Sequence, residues 1–269
     1  MKISKIFVFI IIIISECLAQ KVIDIWNGKA PYDNGDTAEL TIFLPSSDIA
    51  TGRAIILCPG GGYSFVSMGN EGTNWSDFFT DQGIAAFVLK YRLPKGNPLV
   101  PISDAEEAIK LIRKNANEWN IKEDQVGIMG FSAGGHLASR IATNSIDNAK
   151  PNFHILFYPV IYMEHPSKTS VQSPKNLLGP DPSEELLEEY SNDLKVNKDT
   201  PRVIIFLSND DGTVSPMHGV TYYSKCNLNG VPASLHIYPS GGHGWGFNPP
   251  AIFRNQILSE LKKWLDSFE

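Results

Sequence analysis

Apolar residues gather in short blocks along this chain. They stand at VIDIW (22–26), AELTIFLP (38–45), RAIILC (53–58), IAAFVLKY (84–91), QVGIMGF (125–131), FHILFYPVI (153–161), PRVIIFLS (201–208) and ASLHIYP (233–239). Only the second block shows even partial alternation with polar residues. Stretches with apolar side chains at helical spacing separate most of the later blocks. A strand with water on one face alternates, whereas one covered on both faces is apolar throughout. The pattern therefore predicts an α/β chain with a mostly parallel central sheet and helices on both of its faces.

The helices carry their own punctuation. One is expected over residues 103–120, with Ser103 as cap and Ala105, Ala108, Ile109 and Ile112 on one face. Another is expected to begin at Ser215, with Pro216 in the first helical position. A short one should start after Ser183, where Glu184 and Glu185 suit the positive end of the helix dipole. The last, over residues 251–268, has a stripe of Ile257, Leu258, Leu261, Trp264, Leu265 and Phe268 that reads as core packing. The least regular part, 163–200, reads as an insertion over the sheet edge. With no repeat or linker in view, residues 20–269 are expected to form one catalytic-size domain.

The first nineteen residues fall outside that pattern. Two lysines precede an apolar run over 6–14, which is far shorter than the ~20 residues of a membrane span, and small residues follow at Cys17 and Ala19. Residues 1–19 read as a signal peptide, giving a secreted or periplasmic chain with no membrane segment in its mature form. Cleavage removes two lysines and Glu16, so the formal charge moves from −6 to −7. An acidic chain without a basic tract is not built for phosphate backbones, so nucleic acid is excluded as a partner. The remaining cysteines, Cys58 and Cys226, permit one disulfide and no framework, and each reads as a small buried hydrophobe. The histidines show no H-E-x-x-H spacing, and neither a metal nor another cofactor is expected.

Chemistry concentrates in four places. In VGIMGFSAGGHLASRIA, Gly130 and Gly134 flank Ser132 at a strand–turn–helix junction, the setting that lifts a serine oxygen clear of the chain for attack. Pro59-Gly60-Gly61-Gly62 follows a strand and offers backbone N–H groups to a developing oxyanion; no G-K-S/T or G-x-G-x-x-G accompanies it. His243 stands in a glycine-rich loop after the final strand, a candidate general base of the residue type best suited to that role. His136, His154, His165, His218 and His236 are weaker candidates. Between Ser132 and His243, NDDGTVSP places Asp210 and Asp211 where a strand ends, and both qualify by location to orient the base. Asp210 is also a natural partner for the N–H groups of Gly212 or Thr213 in an Asx turn.

Taken together, PGGGY (59–63), GFSAGGHLA (130–138), DDGTVSP (210–216) and GGHGWG (241–246), with YRLP (91–94) and NLLG (176–179), resemble the α/β-hydrolases. Within them the chain is similar to the carbohydrate esterases that include bacterial acetyl xylan esterases and feruloyl-esterase-like proteins. The resemblance implies an α/β-hydrolase fold and a serine esterase acting on acylated carbohydrate. It implies Ser132 as nucleophile and His243 as base. Its D-x-x-V spacing falls on Asp211 and Val214, which selects Asp211 as the acid and leaves Asp210 to the turn. The N–H groups of Gly61, Gly62 and Ala133 become the oxyanion donors. Two departures are visible: Ser215 where proline is common, and Pro59 where related enzymes have histidine. A peptidase or lipase of the same fold, or an inactive carbohydrate-binding relative, is the alternative. Tyr63, Trp75 and Trp245 read at least as well as packing residues as they do as sugar platforms.

Overall fold

The structure, a computed structural model, describes residues 21–164, 171–248 and 252–267. The signal-peptide reading and His165 lie outside them. Eight strands form one sheet: β1 (Lys21–Asp24), β2 (Glu39–Phe43), β3 (Ala54–Cys58), β4 (Ala85–Lys90), β5 (Val126–Phe131), β6 (Phe153–Phe157), β7 (Arg202–Ser208) and β8 (Ala233–Tyr238). Their order is β1-β2-β4-β3-β5-β6-β7-β8. β2 pairs antiparallel with β1 and β4, and every other pairing is parallel. The helices are α1 (Ser76–Thr80), α2 (Leu99–Lys114), α3 (Ser132–Asn144), α4 (Ser173–Leu178), α5 (Glu184–Glu189), α6 (Met217–Leu228) and α7 (Arg254–Asp266).

The apolar blocks are explained by two cores, one on each face of the sheet. Ile56, Ile128, Val203 and Ile205 point to the face covered by α2, α3 and α6. Their neighbours Ile55, Leu57, Met129, Ile204 and Phe206 point to the face covered by Phe79 of α1 and by Ile257, Leu261 and Leu265 of α7. Period-two alternation is present but invisible in the sequence, because both phases are apolar.

Four sequence expectations need correction, the first being that α6 begins at Met217 with Pro216 as its N-cap, and not at Ser215 with Pro216 as its first helical residue. Helix α2 begins at Leu99, before Ser103, whose hydroxyl donates to the Val100 carbonyl inside the helix. Pro98 and Pro101 sit at its start, where a missing N–H costs nothing. The excursion leaves the sheet between β6 and β7, with β8 beyond them, and not at either edge strand. It lies beside α3 and α6 and reaches the mouth of the central cavity through Val171, Gln172 and Ser173. Helix α7 starts at Arg254, three residues later than the expected span of 251–268. Ser183 does cap α5, accepting from the Leu186 amide at 3.2 Å.

Candidate active site

Ser132 occupies the first position of α3 with φ at +51°, a left-handed conformation that a side-chain-bearing residue adopts only when its surroundings impose it. The two glycines of the motif are what impose it. A Cβ on Gly130 would lie 2.1 Å from the Gly134 carbonyl oxygen, and one on Gly134 would lie 2.0 Å from the Cys58 carbonyl oxygen. The helix can therefore press directly onto the ends of β5 and β3. That contact drives the serine outward to the floor of a cavity of about 420 Å³ at the C-terminal ends of the strands.

The structure brings together Ser132 at the start of α3 and Asp211 and His243 from the loops after β7 and β8. The Ser132 hydroxyl is 2.9 Å from Nε2 of His243, whose Nδ1 is 2.7 Å from Oδ2 of Asp211. An ionised aspartate can only accept, so Nδ1 carries the proton and Nε2 is left to accept from the serine. Asp211 is almost fully enclosed, its side chain 2% exposed. Its second oxygen, Oδ1, accepts from the amides of Thr213 and Val214, each at 2.9 Å.

That last observation corrects the division of labour between the aspartates. Asp211 both faces the histidine and forms the turn, because the chain bends tightly after Ser208 instead of staying extended. Asp210 reaches across to the histidine loop, where Oδ1 accepts from the Gly242 amide at 2.8 Å.

The glycine loop after β3 forms the facing wall. Gly61 and Gly62 line the cavity with Ser132 and His243 and have positive φ values of 129° and 61°. A Cβ on Gly61 would fall 2.2 Å from the Phe65 carbonyl oxygen, so the bend admits no other residue. Among the described residues neither amide donates to a protein acceptor. Ala133 contributes one of the first amides of α3, which a helix leaves unpaired. The Gly60 amide, by contrast, is taken. It donates to Oε2 of Glu71 at 2.8 Å.

Glu71 is a residue that sequence reasoning missed. It is 5% exposed and lines the same cavity, and its Oε1 accepts from the Tyr158 hydroxyl at 2.8 Å. The Tyr158 oxygen in turn accepts from the Gly246 amide at 2.8 Å, and its ring meets the His243 ring edge-on at 4.9 Å. Burial pushes the Glu71 carboxyl up, against the pull of Tyr158, Gly60 and His243. The neighbouring Asn70 accepts from the Phe247 amide and donates to the Gly244 carbonyl. The histidine loop is thus held at residues 242, 244, 246 and 247. No periodicity or motif marks Asn70 or Glu71 in the sequence.

The other described histidines are structural. His136 joins the Tyr63 hydroxyl to the Tyr190 carbonyl, and burial drives it down to about 3. His154 meets Tyr222 and is likewise driven to about 3. Nδ1 of His218 accepts from the amides of Ile161 and Tyr162; burial lowers it to about 4, with Asp211 pulling the other way. His236 is half-buried on β8 and stacks on Phe206. Tyr63, Trp75 and Trp245 are all buried, so they pack rather than offer a platform. Cys58 and Cys226 are buried free thiols. Among the described residues no group of three His, Cys, Asp or Glu could hold a metal ion, and no helix is long and apolar enough to cross a membrane.

The sequence and the fold have counterparts among known proteins. The chain is 44% identical to an acetylxylan esterase of Xylanibacter ruminicola over 86% of its own length and 48% of the relative's. It is 30% identical to endo-1,4-beta-xylanase B of Butyrivibrio fibrisolvens, over 81% of this chain and 36% of that one. The chain therefore spans about half or less of these curated relatives. The crystal structure of an acetyl ester-xyloside bifunctional hydrolase from Caldicellulosiruptor lactoaceticus superposes with a TM-score of 0.84 at 30% identity, covering 92% of this chain and 96% of the other. An α/β-hydrolase from a deep-sea metagenome library superposes at 0.71 with 26% identity, covering 92% of this chain and 96% of that one. The BD-FAE family model matches residues 40–226, a span that holds the glycine loop, Ser132 and Asp211 and stops short of His243. With the sheet order and these matches in hand, the chain belongs to the BD-FAE family and has the α/β-hydrolase fold.

Proposed function

We propose that this chain is an exported serine esterase that removes acyl groups, acetyl first among them, from xylan-type plant polysaccharide. One observation carries the reading: an unbroken hydrogen-bond line from Asp211 through His243 to Ser132, ending in a cavity bordered by the amides of Gly61 and Gly62. The names of the acetylxylan esterase and xylanase relatives support the choice of polysaccharide. Export rests on residues 1–19 alone.

In this reading Ser132 Oγ attacks the ester carbonyl carbon while Nε2 of His243 takes its proton. The carbonyl oxygen becomes an oxyanion, held by amides of Gly61, Gly62 and Ala133 that need no rearrangement to receive it. The bond to the sugar oxygen then breaks, and the imidazolium hands its proton to the departing hydroxyl. Water, deprotonated by the same Nε2, releases the acid and restores the serine. Asp211 keeps the imidazole in the tautomer this requires and offsets its positive charge.

The test compares wild type and Ser132→Ala on p-nitrophenyl acetate, acetylated xylan, a feruloylated polysaccharide, a long-chain ester and a peptide. The reading expects acetate release from xylan and a loss in kcat on the order of 10⁶ in the variant. Ser132→Ala turnover at the wild-type rate would exclude the nucleophile. Preference for the peptide or long-chain ester would replace the substrate class, and binding of xylan without turnover of any substrate would favour a binding role.

A further inference from the structure

The strongest feature left unused by the triad is the carboxylate of Glu71, enclosed beside the nucleophile. A Cβ on Gly60 would lie 2.8 Å from Glu71 Oε2 and 2.9 Å from the Ser132 Cβ, so carboxylate and serine flank the same backbone atom. Both carboxylate oxygens face donors. Oε2 receives the Gly60 N–H, and Oε1 receives the Tyr158 O–H, whose oxygen is already accepting from Gly246. Both of these donors favour the ionised carboxylate and work against the burial that pushes the carboxyl up.

The titratable groups around it come from every adjoining element. Tyr158 follows β6, His243 lies in the loop after β8, Asp211 stands beyond the imidazole after β7, Tyr91 follows β4, and Cys58 ends β3. Burial pushes both phenols and the thiol upward, which keeps them neutral. Among the described residues no lysine or arginine pairs with Glu71.

We infer that Glu71 is a positioning residue that also acts through its charge. Its carboxylate fixes the oxyanion loop through Gly60 and the histidine loop through Tyr158, and its negative charge favours the imidazolium that His243 becomes during the reaction. The triad then works between two enclosed carboxylates, Asp211 bonded to the ring and Glu71 acting across the cavity. This inference rests on the esterase reading. The two fail separately: an active Ser132→Ala would sink the reading, while an inert Ser132→Ala beside an unaffected Glu71→Gln would sink only the inference.

The experiment measures kcat and KM for p-nitrophenyl acetate across pH in wild type, Glu71→Gln and Tyr158→Phe. Glutamine keeps the shape, and Tyr158 can turn to accept from its amide, so the charge is the main loss. Its kcat should fall roughly 10- to 100-fold with little change in KM, less than the about 10²–10³ lost with a direct oxyanion donor because Glu71 acts across the cavity. The acid limb of kcat/KM should move to lower pH by about half a unit or more, because the imidazolium loses a stabilising neighbour. Tyr158→Phe keeps the carboxylate, so its acid limb should not move toward acid even though kcat drops. A Glu71→Gln acid limb at the wild-type position, with loss confined to thermal stability, would overturn the electrostatic role. Should Glu71→Gln not fold, ¹³C NMR of the Glu71 carboxyl in the wild-type chain decides: a protonated carboxyl throughout the active pH range would equally overturn it.

Discussion

Replacing Asp211 by asparagine should disable the base without disturbing the fold, and the reason lies in the turn the aspartate also forms. Oδ1 accepts two backbone N–H groups at 2.9 Å. An asparagine must keep its oxygen there, because an NH₂ facing two amide donors would leave the enclosed amide nitrogen and the part-buried Val214 N–H unsatisfied, at about 1–3 kcal/mol for a fully buried group. The amide nitrogen is then forced to the Oδ2 position, 2.7 Å from Nδ1 of His243. As a donor it makes Nδ1 the acceptor, moves the imidazole proton to Nε2, and leaves nothing to accept from Ser132. The same inversion of tautomer in the Ser-His-Asp template costs about 10⁴ in kcat, or about 5.5 kcal/mol of barrier. Asp210→Asn is the internal control. Its remaining carbonyl oxygen still accepts from Gly242, so its loss should stay within about threefold. The assay is kcat on p-nitrophenyl acetate, with melting temperature to verify folding. Asp211→Asn within tenfold of wild type, or Asp210→Asn the worse of the two, would refute the tautomer argument and the choice of acid.

Stability should respond to pH through the buried neutral histidines. His136, His154 and His218 are lowered to about 3, 3 and 4, so between pH 6 and 4 the unfolded chain binds protons that the folded one refuses. Stability should fall with pH by up to about 4 kcal/mol per unit, offset in part by Glu71, whose raised carboxyl takes its proton first in the folded state; urea midpoints at pH 7, 5 and 4 that coincide would contradict this. Asp104→Ala should cost about 3–5 kcal/mol, because it strands the fully buried Arg92, which now bonds Asp104 through Nε and Nη2. A melting temperature about 10 °C lower is the expected reading in a chain of this size. Gly134→Ala places a methyl group against the Cys58 carbonyl and should leave little folded protein, as circular dichroism would show.

The sequence is informative where chemistry and local structure share one stretch. The nucleophile turn needs a strand, two glycines and a helix in immediate succession, and VGIMGFSAGGHLA supplies all of them within one short window. His243 and the Asp210–Asp211 pair are reachable through chain order. Asn70, Glu71 and Tyr158 are not, because their partners stand far away in sequence: Tyr158 lies 87 residues beyond Glu71, and Gly244 lies 174 beyond Asn70. Nor does a pair of adjacent acids reveal which one bends the chain. The family resemblance has Asp211 face the histidine and leaves the turn to Asp210; backbone curvature after Ser208 gives Asp211 both roles and sends Asp210 to Gly242. The start of helix α2 is misplaced because Ser103 looks like a cap, whereas its hydroxyl is satisfied within the helix by Val100.

The distribution of the site over the chain has a consequence for how activity is acquired. Glu71, Ser132, Asp211 and His243 follow β3, β5, β7 and β8, and the Ser132–His243 hydrogen bond joins residues 111 positions apart. The β7-α6-β8 unit can bring Asp211 to His243, but Ser132 joins them only after β6 has paired between β5 and β7. Such long-range closure comes late in folding, when the entropy of the intervening loops has been overcome. Recovery of esterase turnover during refolding should therefore lag behind the return of helical signal. Catalysis in this chain would serve as a reporter of the completed sheet, with the insertion of β6 between β5 and β7 the event that switches it on.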